Sequence, residues 1–115
     1  MSDCIFCKLA NGEIPTDMVF EDDLVAAFRD TSPQAPTHVL VVPKAHYANI
    51  VDGVPAEVLK HMADAVGAVA EAEGIAESGF RVIANTGADA GQTVMHLHWH
   101  VLGGTSLGEG LVPEA

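Results

Sequence analysis

The run His96-Leu97-His98-Trp99-His100-Val101-Leu102 sets three imidazoles at alternate positions with apolar residues between them. Side chains alternate across an extended strand, so His96, His98 and His100 share one face while Leu97, Trp99 and Val101 anchor the other. Three chemistries compete for such a row. Idle imidazoles are the weakest reading, because a buried row without partners would be costly. Alternate histidines can also share a zinc ion in a catalytic metal site. The third chemistry is nucleophilic attack on phosphorus by a neutral imidazole. The neighbourhood favours that one. Gly91-Gln92-Thr93 offers backbone amides, an amide side chain and a hydroxyl, and Asn85 adds another donor. These are neutral groups of the kind that hold a phosphoryl oxygen without a cation. A catalytic metal would want a carboxylate, and the nearest, Asp89, reads as a turn-forming residue.

A second constellation stands at the other end of the chain. Cys4 and Cys7 are the only cysteines, three positions apart. A pair at this spacing can bind one metal together with two further ligands, which spacing alone cannot choose. A redox dithiol reads as weaker, since that motif normally follows a strand and opens a helix, and only three residues precede Cys4. Two reduced thiols packing as small apolar groups is the plain alternative. Two cysteines do not make a secreted disulfide framework.

The elements that must position these residues follow from pattern. Residues 5–10 suit a short helix stopped by Asn11-Gly12. Residues 18–21 and 24–28 read as a hairpin around Asp22-Asp23, and 30–36 as a loop carrying two prolines. Residues 38–42 are rich in β-branched side chains and bounded by Pro43, which predicts a strand buried on both faces. A long helix is expected over about 55–73, where Val58, Met62, Val66 and Val69 form an apolar stripe and Gly74 ends it. Its other face, Glu57, Lys60, His61, Asp64 and Glu71, reads as solvated. Strands are expected over 80–84 and 96–102, with a glycine-containing loop over 85–91. The sum is an α+β domain: a five-stranded antiparallel sheet with one long and one short helix.

Composition narrows the function. The chain has 115 residues, enough for one core, and 49% of them are hydrophobic. Sixteen acids against five bases give a net charge of −11. Lys8, Arg29, Lys44, Lys60 and Arg81 are scattered, so there is no basic track for nucleic acid or for an anionic membrane surface. No apolar run reaches the roughly 18 residues of a membrane span, and Cys4-Ile5-Phe6-Cys7 is too short for a secretory core. A cytoplasmic protein with reduced thiols is expected.

The triad string fits the pattern His-φ-His-φ-His-φ-φ, with φ apolar, at every position. Glu13-Ile14-Pro15, Phe20-Glu21-Asp22-Asp23, Phe28-Arg29-Asp30, residues 32–38, Val42-Pro43-Lys44, Gly91-Gln92 and Leu102-Gly103-Gly104 extend the match in order and spacing. Over residues 4–104 the chain resembles the histidine triad superfamily, in its branch of histidine triad nucleotide-binding proteins. The resemblance implies a single domain over 1–104 with a tail over 105–115. It implies a homodimer whose sheet continues across the interface, purine nucleoside monophosphates as ligands and phosphoramidates as substrates. By the same resemblance His98 is the nucleophile, and His100 orients the phosphate with Asn85, Gly91, Gln92 and Thr93 around it. Asp30 holds the ribose, His38 stands behind the triad, and the base lies among Ile5, Phe6, Leu9, Ile14, Phe28 and Thr31. Zinc-bearing members use a histidine after Pro-Lys and the first triad histidine, which correspond to His46 and His96 beside Cys4 and Cys7. Thr93 and Thr31 depart from relatives that carry serine and isoleucine there. Two rival readings stand beside hydrolysis of purine nucleoside phosphoramidates through a nucleotidyl-histidine. One is a non-catalytic, zinc-stabilised module binding nucleotides or a protein; the other is hydrolysis of dinucleoside polyphosphates.

Overall fold

The computed structural model describes residues 4–112, so positions 1–3 of the expected domain and 113–115 of the expected tail lie outside the described residues. Two strands, β1 (Met18–Glu21) and β2 (Val25–Arg29), form the first hairpin. Asp22 makes the turn, its carboxylate accepting the N–H groups of Leu24 and Val25 at 2.8 and 2.9 Å. The third strand, β3 (Thr37–Pro43), is buried at every position and therefore central. With β4 (Phe80–Ile83) and β5 (Trp99–Gly103), the sheet runs β1-β2-β3-β5-β4, antiparallel throughout.

The period-two pattern divides this sheet into two faces with different tasks. Val25, Ala27, Val39, Val41 and Val101 point to the long helix α2 (Ala56–Ala72) and pack on Val58, Met62, Ala65, Val66 and Val69. That face is the main core. The alternate residues Ala26, Phe28, Leu40 and Val42 meet the short helix α1 (Ile5–Ala10) through Phe6, Leu9 and Ala10. His38 and His100 alternate with Val39 and Val101, so they fall on the α1 face.

Several expected boundaries shift. Pro55 caps α2 rather than entering its first turn, and Pro43 closes β3 from within instead of bounding it. The polar side of α2 is not wholly given to solvent, because His61 reaches Asp22 at 2.9 Å and ties the helix to the first hairpin. The largest correction concerns the last strand, expected over 96–102. It begins only at Trp99, because the Leu97 N–H leaves the ladder and donates to the Tyr47 carbonyl at 2.6 Å. The alternation holds nevertheless: Leu97 is buried in the α2-side core while His96 and His98 turn to Phe6 on the other side. The 85–91 loop contains a 3-10 turn, Ala88–Ala90, between Gly87 and Gly91, whose φ angles of +84° and +80° only glycine adopts freely. Among the described residues no helix is long and apolar enough to cross a membrane.

Candidate active site and metal cluster

Every triad histidine has one ring nitrogen tied to a fixed partner, and that partner decides what the other nitrogen can do. His98 Nδ1 lies 2.7 Å from the His96 carbonyl, which can only accept. A proton therefore sits on Nδ1, and the lone pair of the neutral ring falls on Nε2. Phe6 stands edge-on to the His98 ring at 4.9 Å between centroids and restricts its rotation.

His100 is set through two residues. The Gln34 N–H donates to His38 Nδ1 at 3.0 Å, so His38 carries its proton on Nε2. That proton is donated to His100 Nδ1 at 2.8 Å, which leaves His100 with Nε2–H as a donor. Asp30 adds a carboxylate oxygen 3.5 Å from His38 Nε2, while its other oxygen accepts the Ser32 N–H at 2.7 Å. Burial is the main reason both rings stay neutral. It pushes His38 below the ordinary histidine range against the pull of Asp30. It takes His100 down to about 4, helped by its neighbours His98 and His38.

Asp30, His38 and His100 bring three potential ligand atoms within 4.8 Å of one another. The tautomers argue for a proton relay there instead of a metal. His38 presents N–H, not a lone pair, to the shared point, and freeing it would break the Gln34 bond.

The other cluster has the opposite polarity. His96 is fully buried, and its Nε2–H donates to the Pro43 carbonyl at 2.8 Å, leaving Nδ1 bare. That Nδ1 faces Cys4 Sγ at 3.2 Å and Cys7 Sγ at 3.4 Å. His46 Nδ1 lies 3.4 Å from Cys7 Sγ. The four donors lie within 4.8 Å of one another and make a two-sulfur, two-nitrogen set of the sort zinc takes. Burial, then the Cys4 thiol, pushes Cys7 up to about 11, a shift that a cation bound at the sulfur would reverse by displacing the proton. The donor set fits a metal.

Beside the imidazoles, on the far side of Phe6 from His98, the expected base-pocket residues converge. Ile5, Phe6, Leu9, Ile14, Phe28, Asp30 and Thr31 line one cavity of about 450 Å³, and Pro15, Thr16, Arg29 and Leu40 complete it. Arg29 holds the rim by pairing with Asp17 at 2.9 Å and Glu73 at 2.5 Å. The expected anion donors divide. The Asn85 side chain donates to the Ala90 carbonyl at 2.8 Å and closes its own loop. The Gln92 side chain departs from the expectation of a phosphate donor: it accepts from Gly87 N–H and donates to the Ala48 and Val94 carbonyls. The Gly91 and Gln92 N–H groups are likewise bonded within the loop, whereas Thr93 is exposed with an uncommitted hydroxyl.

A family model described as the HIT domain matches residues 11–107. The chain belongs to the HIT domain family. The purine nucleoside phosphoramidase of Escherichia coli K12 is 50% identical over 107 residues, covering 90% of this chain and 89% of that protein. A HIT family hydrolase from Clostridium thermocellum superposes with a TM-score of 0.92 at 44% identity, covering 97% of this chain and 99% of its own. A histidine triad protein from Clostridium difficile gives 0.90 at 47% identity, covering 96% and 98%. Within this HIT domain, sequence reasoning missed the parts that come from backbone: the Pro43 and His96 carbonyls and the Gln34 N–H. No side-chain spacing signals them. The Pro43 contact joins positions 53 residues apart.

Proposed function

We propose that this chain is a purine nucleoside phosphoramidate hydrolase that works through a nucleotidyl-histidine and also binds nucleoside monophosphates. The observation that carries this reading is the pairing of a bare His98 Nε2 with a neutral His100 Nε2–H, beside an apolar cavity of nucleoside size. The 50% identity to a protein named purine nucleoside phosphoramidase supports the substrate class.

In the first step His98 Nε2 attacks the α-phosphorus. A P–N bond to the enzyme forms as the bond to the substrate nitrogen breaks, and the departing amine takes a proton from solvent, which the attacking water of the second step gives back. His100 Nε2–H orients a phosphoryl oxygen, and His38 holds that donor in place. Water then attacks phosphorus, the bond to His98 breaks and the nucleoside monophosphate leaves. The Thr93 hydroxyl, with Asn85, Gly91 and Gln92 shaping the loop beneath it, lies on the phosphate side. Asp30 takes the ribose hydroxyls, and the base lies among Ile5, Phe6, Leu9, Ile14 and Phe28, with Thr31 at the rim.

Cys4, Cys7, His46 and His96 would hold a structural zinc. Bound there, it supplies a cross-link between α1 and the triad segment and takes no part in turnover. The domain is read as 1–104 with 105–115 as a tail, in a cytoplasmic protein without nucleic-acid or membrane partners. A homodimer is part of the reading, favoured by the open β4 edge with its exposed Phe80 and Val82 and by exposed Ala63 and Gly67 on α2. Sedimentation at micromolar concentration should give twice the chain mass.

The deciding assay compares an adenosine phosphoramidate with a diadenosine polyphosphate on the purified protein. Faster turnover of the phosphoramidate is expected. A preference for the polyphosphate would move the chain to the sister activity, and a folded protein that turns over neither would be a binding module.

A further inference from the structure

Cys4 and Cys7 have a chemistry that holding a metal does not exhaust. The sequence offers only three residues before Cys4, yet the fold supplies the helix that a dithiol motif opens. Cys4 caps α1 with extended backbone, and Cys7 lies within its first turn. That spacing brings the two Cα atoms to about 5 Å, inside the range a disulfide spans. The Cys7 N–H donates to Cys4 Sγ at 3.3 Å, and the sulfurs lie within 4.8 Å of each other. Cys4 is half-buried and open to a small oxidant, whereas Cys7 is buried behind it.

We propose that Cys4 and Cys7 form an oxidisable dithiol, closed to a disulfide by hydrogen peroxide, and that closure loosens the base pocket. Cys4 sulfur attacks one peroxide oxygen and the O–O bond breaks. Cys4 becomes a sulfenic acid, and the other oxygen leaves as water with the thiol proton. Cys7 sulfur then attacks Cys4 sulfur, forming S–S and breaking S–O, and a second water carries off the Cys7 proton. The thiol pair loses two electrons and the peroxide gains them.

The consequence follows from what α1 carries. Ile5, Phe6 and Leu9 on this helix line the cavity, and Phe6 stands against His98. The helix start is joined to the triad segment by the sulfur contacts to His96, and to the loop after β3 by the Cys7 contact to His46. A disulfide withdraws both sulfurs from those imidazoles, removes the thiolates a metal would need and strands His96 Nδ1, which is fully buried. With its sulfur contacts gone and a buried nitrogen to solvate, the start of α1 is freed to move, and the apolar wall moves with it. The proposal concerns the site read above as nucleotide-binding and rests on that reading for its ligand.

The test treats the full-length protein, as purified, with hydrogen peroxide. The intact mass should fall by two hydrogen atoms, and the treated protein should no longer take up zinc titrated against a chromophoric chelator. Adenosine monophosphate should bind about tenfold more weakly, the scale of losing part of an apolar contact surface. Dithiothreitol should restore it; Cys4→Ser should show no loss of hydrogen and no change of affinity under peroxide, and Cys7→Ser should stop at a Cys4 sulfenic acid, one oxygen heavier and without a disulfide. Peptide mapping of the wild-type disulfide serves if either variant fails to fold. Gain of oxygen atoms without loss of hydrogen in the wild type would overturn the dithiol. A disulfide form with unchanged affinity and unchanged amide exchange in α1 would overturn the coupling. If the reduced protein binds no nucleotide, the proposed function fails instead, and amide exchange in α1 still decides whether closure frees the helix.

Discussion

Two histidine clusters lie on the same face of one sheet, a few residues apart, and they are prepared for opposite work. His96 donates Nε2–H to a carbonyl and turns a bare Nδ1 to two thiols. His98 donates Nδ1–H to a carbonyl and keeps Nε2 bare, while His100 accepts on Nδ1 from His38 and keeps a donor on Nε2. On the function proposed above, identical side chains thus serve as a metal ligand, a nucleophile and an oxyanion donor. What separates them is which backbone group holds the second nitrogen. In a chain with few cations, this division would let neutral rings handle an anion while the positive charge of a bound metal stayed with the thiols.

The sharpest break in that comparison comes from removing the nucleophile. His98→Ala should lower phosphoramidate turnover by ~10³-fold or more while the protein keeps its fold and its Cys4–Cys7–His46–His96 cluster. Near-normal activity in a folded variant would defeat the assignment of His98. The metal cluster should fail differently. Wild-type protein purified without chelator should carry about one zinc per chain. Cys4→Ser should abolish it and lower the melting temperature by several degrees, with turnover reduced but measurable. Zinc-free wild type of full stability would leave Cys4 and Cys7 as packing residues.

Much of this contrast was legible in the sequence, and the reasons differ by part. Alternation along 96–102 assigned the faces, because a period of two is a property of extended chain even where the ladder is absent. Residues 38–42 declared a central strand through β-branching. The pocket residues came from family resemblance, since their positions, from Ile5 to Thr31, join only when α1 folds back on β2. The tautomers were not legible at all. They depend on carbonyls and amides brought near by tertiary structure, and every residue type carries those groups. Gln92 misled for a related reason: its side chain looks like a free amide until the loop closes around it.

The relay offers a milder break. His38→Ala should lower kcat by about tenfold with KM little changed, because it removes the proton that fixes His100 and leaves substrate contacts intact. His38→Gln, whose amide can donate in its place, should recover part of the loss. A KM effect alone would make His38 a packing residue. The same cluster predicts a pH dependence of stability. Folding takes His100 from its ordinary 6.5 down to about 4, and His38 shifts in the same direction. The unfolded chain therefore binds more protons through this window. Stability is full above about 6.5 and is lost as pH falls toward 4. Melting temperatures measured across that range should fall, and His100→Asn should flatten the slope.

The last break comes from Asp30, where the His38–His100 relay meets the ligand. One carboxylate oxygen is committed to the Ser32 N–H, and the other lies 3.5 Å from His38 Nε2, a loose contact that a ribose hydroxyl can displace. An ionised carboxylate accepting from a hydroxyl contributes more than a neutral pair does, so losing it costs about tenfold in affinity. Asp30→Ala should therefore weaken binding of a ribonucleoside monophosphate by roughly that factor and its 2′-deoxy counterpart by less. The comparison of the two sugars matters more than either loss. Asp30→Ala also frees the Ser32 N–H and disturbs the loop before Pro33, and that disturbance weakens both ligands alike. Isothermal titration with the ribo and deoxy forms separates the two contributions. Equal losses would reduce Asp30 to a loop-shaping residue, whereas a larger ribo loss would make the same carboxylate serve both the sugar and the His38–His100 relay.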